Sequence, residues 1–210
     1  MELGRVVILN GAPRSGKSSI VAAMQELSQT IWLNLGVDVF CRHVTPPRLR
    51  PGMGLRPGGG ERPDIEALLP SLYAAFYDSV AAHSRHGIDV AVDIGHHDAY
   101  ASPLHLIEDA AQRLEGLPAW LVGVHCPLEV IVARRVVSPE GDYASAWDAD
   151  GQIAKAVVRW QEEVHRPGIY DLVVDTADDD PEQCAERILR HLEAGPPPSA
   201  LHRIRSHDGA

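Results

Sequence analysis

The densest chemistry in the chain sits in Gly11-Ala12-Pro13-Arg14-Ser15-Gly16-Lys17-Ser18, which fits the pattern G-x-x-x-x-G-K-S, with Ser19 directly behind it. The two glycines let the backbone turn tightly enough to aim its N–H groups at phosphate oxygens. A helix N-terminus behind the loop adds a favourable dipole for an anion. In such a loop the lysine, Lys17, reaches the β- and γ-phosphates, and the Ser18 hydroxyl ligates Mg²⁺. The expected ligand is a nucleoside triphosphate, ATP or GTP, with Mg²⁺. No motif in the chain distinguishes the two bases.

A phosphate loop alone does not separate kinases from switches or mechanical ATPases. Phosphoryl transfer to an alcohol also needs a general base, a cover against water and cations for the moving charge. Asp38 ends an apolar run and is a candidate base for the acceptor hydroxyl. Asp93 ends another such run, where a carboxylate holds the metal together with Ser18. Arg134 and Arg135, next to a polar stretch, are candidates to close over the phosphates, with Arg14 in reserve. His96-His97-Asp98 lacks a well-placed third histidine or cysteine, so it does not read as a zinc site.

These residues need a scaffold, and the hydrophobic pattern supplies one. Arg5–Asn10 reads as a buried strand and Ser19–Leu27 as a helix. Gly36–Phe40, Ile88–Asp93, Ala119–His125 and Tyr170–Asp175 read as four more strands. Helices are expected over Ile65–His86, ended by Gly87, and over Ser102–Leu114, Leu128–Val136, Gln152–His165 and Pro181–Leu192. Alternating strands and helices predict an α/β fold with a five-stranded parallel sheet covered on both faces. Ligands then sit outside the carboxyl ends of the strands. One domain is expected over 1–193. Within it, residues 42–63, rich in Pro, Gly and Arg, form a long loop on the substrate side, and 137–150 form a lid. Residues 194–210, with three successive prolines, read as a flexible tail.

Composition narrows the partners. A chain of 210 residues with 45% hydrophobic content and a net charge of −10 does not suit a nucleic-acid partner. The three cysteines are widely spaced, which suits a reducing compartment. No apolar run is long enough for a membrane span and no signal segment is recognisable, so a cytoplasmic protein is expected. A homo-oligomer is compatible with the chain but not indicated by it.

Longer pieces resemble the chloramphenicol phosphotransferase family. Val7-Ile8-Leu9-Asn10-Gly11 leads into the loop as it does there. Trp32–Asp38, Ile88–Asp93 and Val122–Cys126 are similar to the family's second, third and fourth strands. Gln161–His165, Tyr170-Asp171 and Val174-Asp175-Thr176 resemble its C-terminal third, so the likeness spans residues 5 to 192. The resemblance implies a P-loop three-layer sandwich of the nucleoside-monophosphate-kinase type. It also implies transfer of the γ-phosphoryl group to an antibiotic hydroxyl, chloramphenicol-like or on a nucleoside antibiotic such as capuramycin. Asp38 falls on the family's base and Arg134 on its first lid arginine. The chain departs from the pattern in the lid, which has Gly141-Asp142-Tyr143, after the third strand, which has Asp93-Ile94, and over Cys41–Asp64. A metabolic kinase of the shikimate or gluconate type is the alternative.

Overall fold

The computed structural model describes residues 2–44, 46, 63–137 and 147–207. Most of the 42–63 loop and of the 137–150 lid therefore lies outside the described residues. Among those described, five parallel strands form one sheet, β1 (Val6–Asn10), β2 (Trp32–Asn34), β3 (Asp89–Ile94), β4 (Ala119–His125) and β5 (Leu172–Asp175), in the order β2-β3-β1-β4-β5. The helices are α1 (Lys17–Leu27), α2 (Val37–His43), α3 (Pro63–Glu66), α4 (Leu69–Arg85), α5 (Leu106–Arg113), α6 (Leu128–Val137), α7 (Lys155–Glu163), α8 (Pro181–Ala194) and α9 (Ala200–His207).

The central strand explains the layering. Successive side chains of a strand point to opposite faces, and both faces of β1 are covered. Val6 and Ile8 enter one apolar cluster with Tyr77, Val80, Ala110 and Ile204, from α4, α5 and α9. Val7 and Leu9 enter the other with Ile20, Met24, Cys184 and Ile188, from α1 and α8. A third, smaller cluster joins Ala12 and Cys126 to Ile131 of α6 and Val157 of α7. The sandwich is the expected one. Pro181 opens α8 behind Asp180, which with Gln183 completes a capping box. Gly87 follows α4 at φ 78, the left-handed conformation expected of a residue just past a helix end. Among the described residues no helix is long and apolar enough to cross a membrane.

Two expectations are corrected. Gly36–Phe40 is not a strand: β2 ends at Asn34, and Val37–His43 is helical. The Asn34 side chain accepts the Gly36 N–H at 2.9 Å, which turns the chain out of the ladder once the Leu35 N–H has donated to the Ala91 carbonyl. The alternating valines suggested a strand, but the local turn decides. The C-terminal segment is not uniformly a free tail either. Ala200, Leu201 and Ile204 of α9 are buried, and the first turn is held by Asp171, whose Oδ1 accepts the Ser199 and Ala200 N–H groups. Three prolines break the chain without ending its packing. Ile204→Ala should therefore cost about 2–5 kcal/mol of unfolding free energy, read from the urea midpoint, whereas an undocked tail gives no change.

Candidate active site

The loop from Gly11 to Ser18 joins β1 to α1 at the carboxyl edge of the sheet. Gly16 takes φ 94 and Arg14 takes φ 72, so two residues adopt the left-handed conformation within one loop. Gly11 is required for space, because a Cβ there would lie 2.5 Å from the Val124 carbonyl oxygen. Lys17 is buried and curls over the loop, its Nζ donating to the Gly11 and Ala12 carbonyls at 2.9 Å each. The same Nζ lies 3.7 Å from Asp93 Oδ1. The other carboxylate oxygen, Asp93 Oδ2, accepts the Ser18 hydroxyl. Asp93 arrives there by register, since β3 pairs it with Leu9, two residues before the loop.

Gly36 brings α2 against this group. A Cβ on it would lie 3.0 Å from that of Asp93, a tight approach that a glycine makes without displacing its neighbour. Two residues on, Asp38 lies in the first turn of α2 and lines the same cleft as Lys17, Ser18 and Asp93. The cleft encloses about 1270 Å³. Pro13, Arg14, Gly16, Ser19 and Arg134 also line it. Ala12 and Ser15 are buried and do not line it.

Arg134 is a strap rather than a loose lid residue. Its guanidinium donates to Thr176 O at 2.7 Å, Thr176 Oγ1 at 3.1 Å and Arg14 O at 3.3 Å. The Thr176 hydroxyl in turn donates to Ser15 O at 2.8 Å. One cation thus ties α6, the phosphate loop and the end of β5. Arg135 does not join it. One residue further is about 100° around a helix, so Arg135 turns inward, 6% exposed, and lines no part of the cleft.

Two anchors escaped sequence reasoning. Thr176 is one. Asn10 is the other: its Oδ1 accepts the His96 N–H at 2.7 Å, and its Nδ2 donates to Val164 O at 2.7 Å and the Tyr170 hydroxyl at 3.0 Å. The visible signal was a polar residue closing an otherwise apolar strand. The Tyr170 hydroxyl meets His165 Nδ1 at 2.8 Å, and the His165 ring stacks 4.0 Å from His125. Burial, His125 and nearby Lys17 hold His165 down to about 4, so it is neutral at pH 7.

The two ends of the cleft differ. On the β5 side lie Arg134, Thr176, Asp178, Asp179, Asp180 and the start of α8. On the α2 side the walls are Asn34, Val37, Val39, His43, Tyr73, Ile94 and Trp160, with Asp38 among them. Among the described residues no lysine or arginine lines that second end beyond the loop itself.

A phosphate loop on a parallel sheet of this order, with an acidic strand end against its lysine and serine, defines the P-loop kinase fold. The model for the chloramphenicol phosphotransferase-like family matches residues 4–193, and the chain belongs to that family. It is thus a phosphotransferase acting on a hydroxyl group. Proteins from two strains of Mycobacterium tuberculosis, each named "Putative O-phosphotransferase", are 26% identical over 98% of this chain and 89% of their own length. The fold is similar to that of the M. tuberculosis APS kinase in complex with AMPPNP and APS, with a TM-score of 0.63 at 19% identity over 92% of this chain and 100% of that one. It is also similar to shikimate kinase from Acinetobacter baumannii in complex with shikimate, with a TM-score of 0.59 at 13% identity over 92% and 95%.

Asn10→Ala would leave a buried N–H and a buried carbonyl without partners, at about 1–3 kcal/mol each. We expect the thermal midpoint to fall clearly while far-ultraviolet circular dichroism below it is unchanged. An unshifted midpoint would remove Asn10 as an anchor.

Proposed function

We propose that the chain moves the γ-phosphoryl group of ATP or GTP to the hydroxyl of a small molecule, an antibiotic. Asp38 serves as general base. The observation that carries this reading is the position of Asp38 in the cleft shared by Lys17, Ser18 and Asp93. The Asp38 carboxylate takes the hydroxyl proton as the oxygen attacks the γ-phosphorus. The bond from that phosphorus to the β–γ bridging oxygen breaks, and the nucleoside diphosphate leaves. Lys17 swings from the loop carbonyls to the phosphates, and Arg134, with Arg14, faces the charge that develops. Gly11, Ala12, Pro13, Ser15, Gly16 and Ser19 supply loop backbone to the phosphates.

The Ser18 hydroxyl against an Asp93 oxygen brings two hard oxygen donors together, which suits Mg²⁺ with substrate phosphates completing its shell. Bound there, Mg²⁺ would neutralise charge on the β- and γ-phosphates. AMPPNP on the similar APS kinase fold supports an adenine donor. A cytoplasmic enzyme would draw on the cell's own triphosphate pool.

Val37, Val39, Tyr73 and Trp160 beside Asp38 offer apolar and aromatic surface to an acceptor, and Asn34 and His43 on the same side offer it polar contacts. Together with the family, they support an antibiotic hydroxyl, of the chloramphenicol or nucleoside type, and a role in resistance. Radiolabelled transfer from ATP and from GTP across antibiotics, shikimate and gluconate tests this. Transfer confined to the two acids would replace the antibiotic reading with the metabolic one.

Asp38→Asn should lower kcat by about 10²–10⁴-fold while nucleotide affinity, measured by calorimetry, stays unchanged. Lys17→Ala should weaken both. Full transfer by Asp38→Asn would remove Asp38 as the base.

A further inference from the structure

The hydroxyl of Thr176 takes no part in the transfer steps given above, yet it reaches the phosphate loop directly. The Thr176 N–H donates to His125 O at 3.0 Å, one step beyond the last β4–β5 pair, His125 with Asp175. Strand pairing thus carries the residue to the loop. There its Cγ2 and the Arg134 Nη1 lie 3.4 and 3.5 Å from the place a Gly16 Cβ would take. The residue is buried in that position.

A threonine hydroxyl has one proton to give. Thr176 gives it to Ser15 O at 2.8 Å, so towards Arg134 Nη1, 3.1 Å away, the same oxygen accepts. Arg134 Nη2 donates to the Thr176 carbonyl at 2.7 Å. The guanidinium fork is thus held by two oxygens of one residue, a geometry that a lysine cannot reproduce.

The Ser15 contact also orients a donor. The Ser15–Gly16 peptide is trans, and in a trans peptide the C=O and the following N–H point in opposite directions. Holding the Ser15 carbonyl on Thr176 therefore aims the Gly16 N–H away from that side chain. This N–H has no partner among the described residues, whereas Ser15 spends its own on Ala12 O at 3.1 Å. Gly16 lines the cleft, and its N–H is left for an anion.

We propose that Thr176 is a positioning residue for phosphoryl transfer, whose hydroxyl fixes the Ser15–Gly16 peptide and the Arg134 guanidinium before the nucleotide arrives. One side chain then sets two donors to the phosphates, the Gly16 N–H and the Arg134 cation. Neither has to be reoriented on binding, which lowers the cost of taking up a triphosphate. Thr176 touches no reacting atom in this role. The inference rests on the reading of the loop as a nucleotide site.

Two substitutions separate positioning from packing. Serine keeps Oγ1 and loses the methyl group, while valine keeps the bulk and loses the hydroxyl. Calorimetry with AMPPNP on the full chain reads affinity, and the Gly16 amide signal in ¹⁵N spectra reads the peptide with no nucleotide present. Thr176→Val should weaken AMPPNP binding by roughly 10–100-fold, the worth of one hydrogen bond to a charged group, and should shift the Gly16 signal. Thr176→Ser should restore both. Thr176→Ala replaces the valine variant if circular dichroism shows that variant unfolded. Undiminished AMPPNP affinity without the hydroxyl overturns the proposal, as does a serine variant as weak as the valine one. A Gly16 signal indifferent to every substitution overturns it too. A wild-type chain that binds neither AMPPNP nor GMPPNP overturns the nucleotide reading instead, and the Gly16 signal still reports whether Thr176 sets the peptide.

Discussion

The buried ammonium of Lys17 is the constraint around which the site is built. A charge this far from water is costly unless oxygens surround it. Here two loop carbonyls and the Asp93 carboxylate do so. Asp93 can serve only because the parallel pairing of β3 with β1 sets it beside Leu9, next to where the loop begins. Sheet register, loop conformation and lysine are thus one arrangement.

Two buried polar side chains then fix the walls. Asn10 binds the segment after β3, the end of α7 and Tyr170, while Thr176 and Arg134 bind the end of β5, α6 and the outer edge of the loop. Each hub lies on a different side of the phosphate loop. Buried hydrogen bonds of this kind are worth little on balance when made and much when broken. Their effect is therefore on uniqueness: they leave the cleft one arrangement of its walls.

Much of this was legible because long-range consequences were written in short-range patterns. The apolar run before Gly11 and the glycine spacing within the loop sufficed for β1, the loop and α1. Near-continuous apolar runs marked β3, β4 and β5, since strands covered on both faces leave no polar positions. Failures came where a local or tertiary term outweighed the pattern. Val37 and Val39 alternate like a strand, yet the Asn34 side chain turns the chain first. Arg134 and Arg135 are equivalent in sequence, and only the rotation of α6 separates the strap from the buried residue. The docking of α9 depends on Asp171, some 28 positions away, which no local window contains. Asn10 and Thr176 act through contacts more than 150 positions distant, and only their polarity at strand ends hinted at them.

The cleft carries a gradient of chemistry that follows from strand order. With β1 central, the phosphate loop divides the carboxyl edge of the sheet into two flanks. The β5 flank receives the Arg134 cation from α6, with Asp178, Asp179 and Asp180 before α8. The β3–β2 flank receives apolar and aromatic side chains of α2, α4 and α7 beside the Asp38 carboxylate, Asn34 and His43. Behind that side the rings form two groups, Tyr73 and Tyr77 packing on His96 at 5.7 Å, and Tyr100 and Trp160 packing on His97 at 4.4–4.5 Å. Side chains packed ring to ring have few ways to yield singly. A displacement of the Trp160 indole, which lines the cleft, is therefore accommodated by moving His97 and Tyr100 with it.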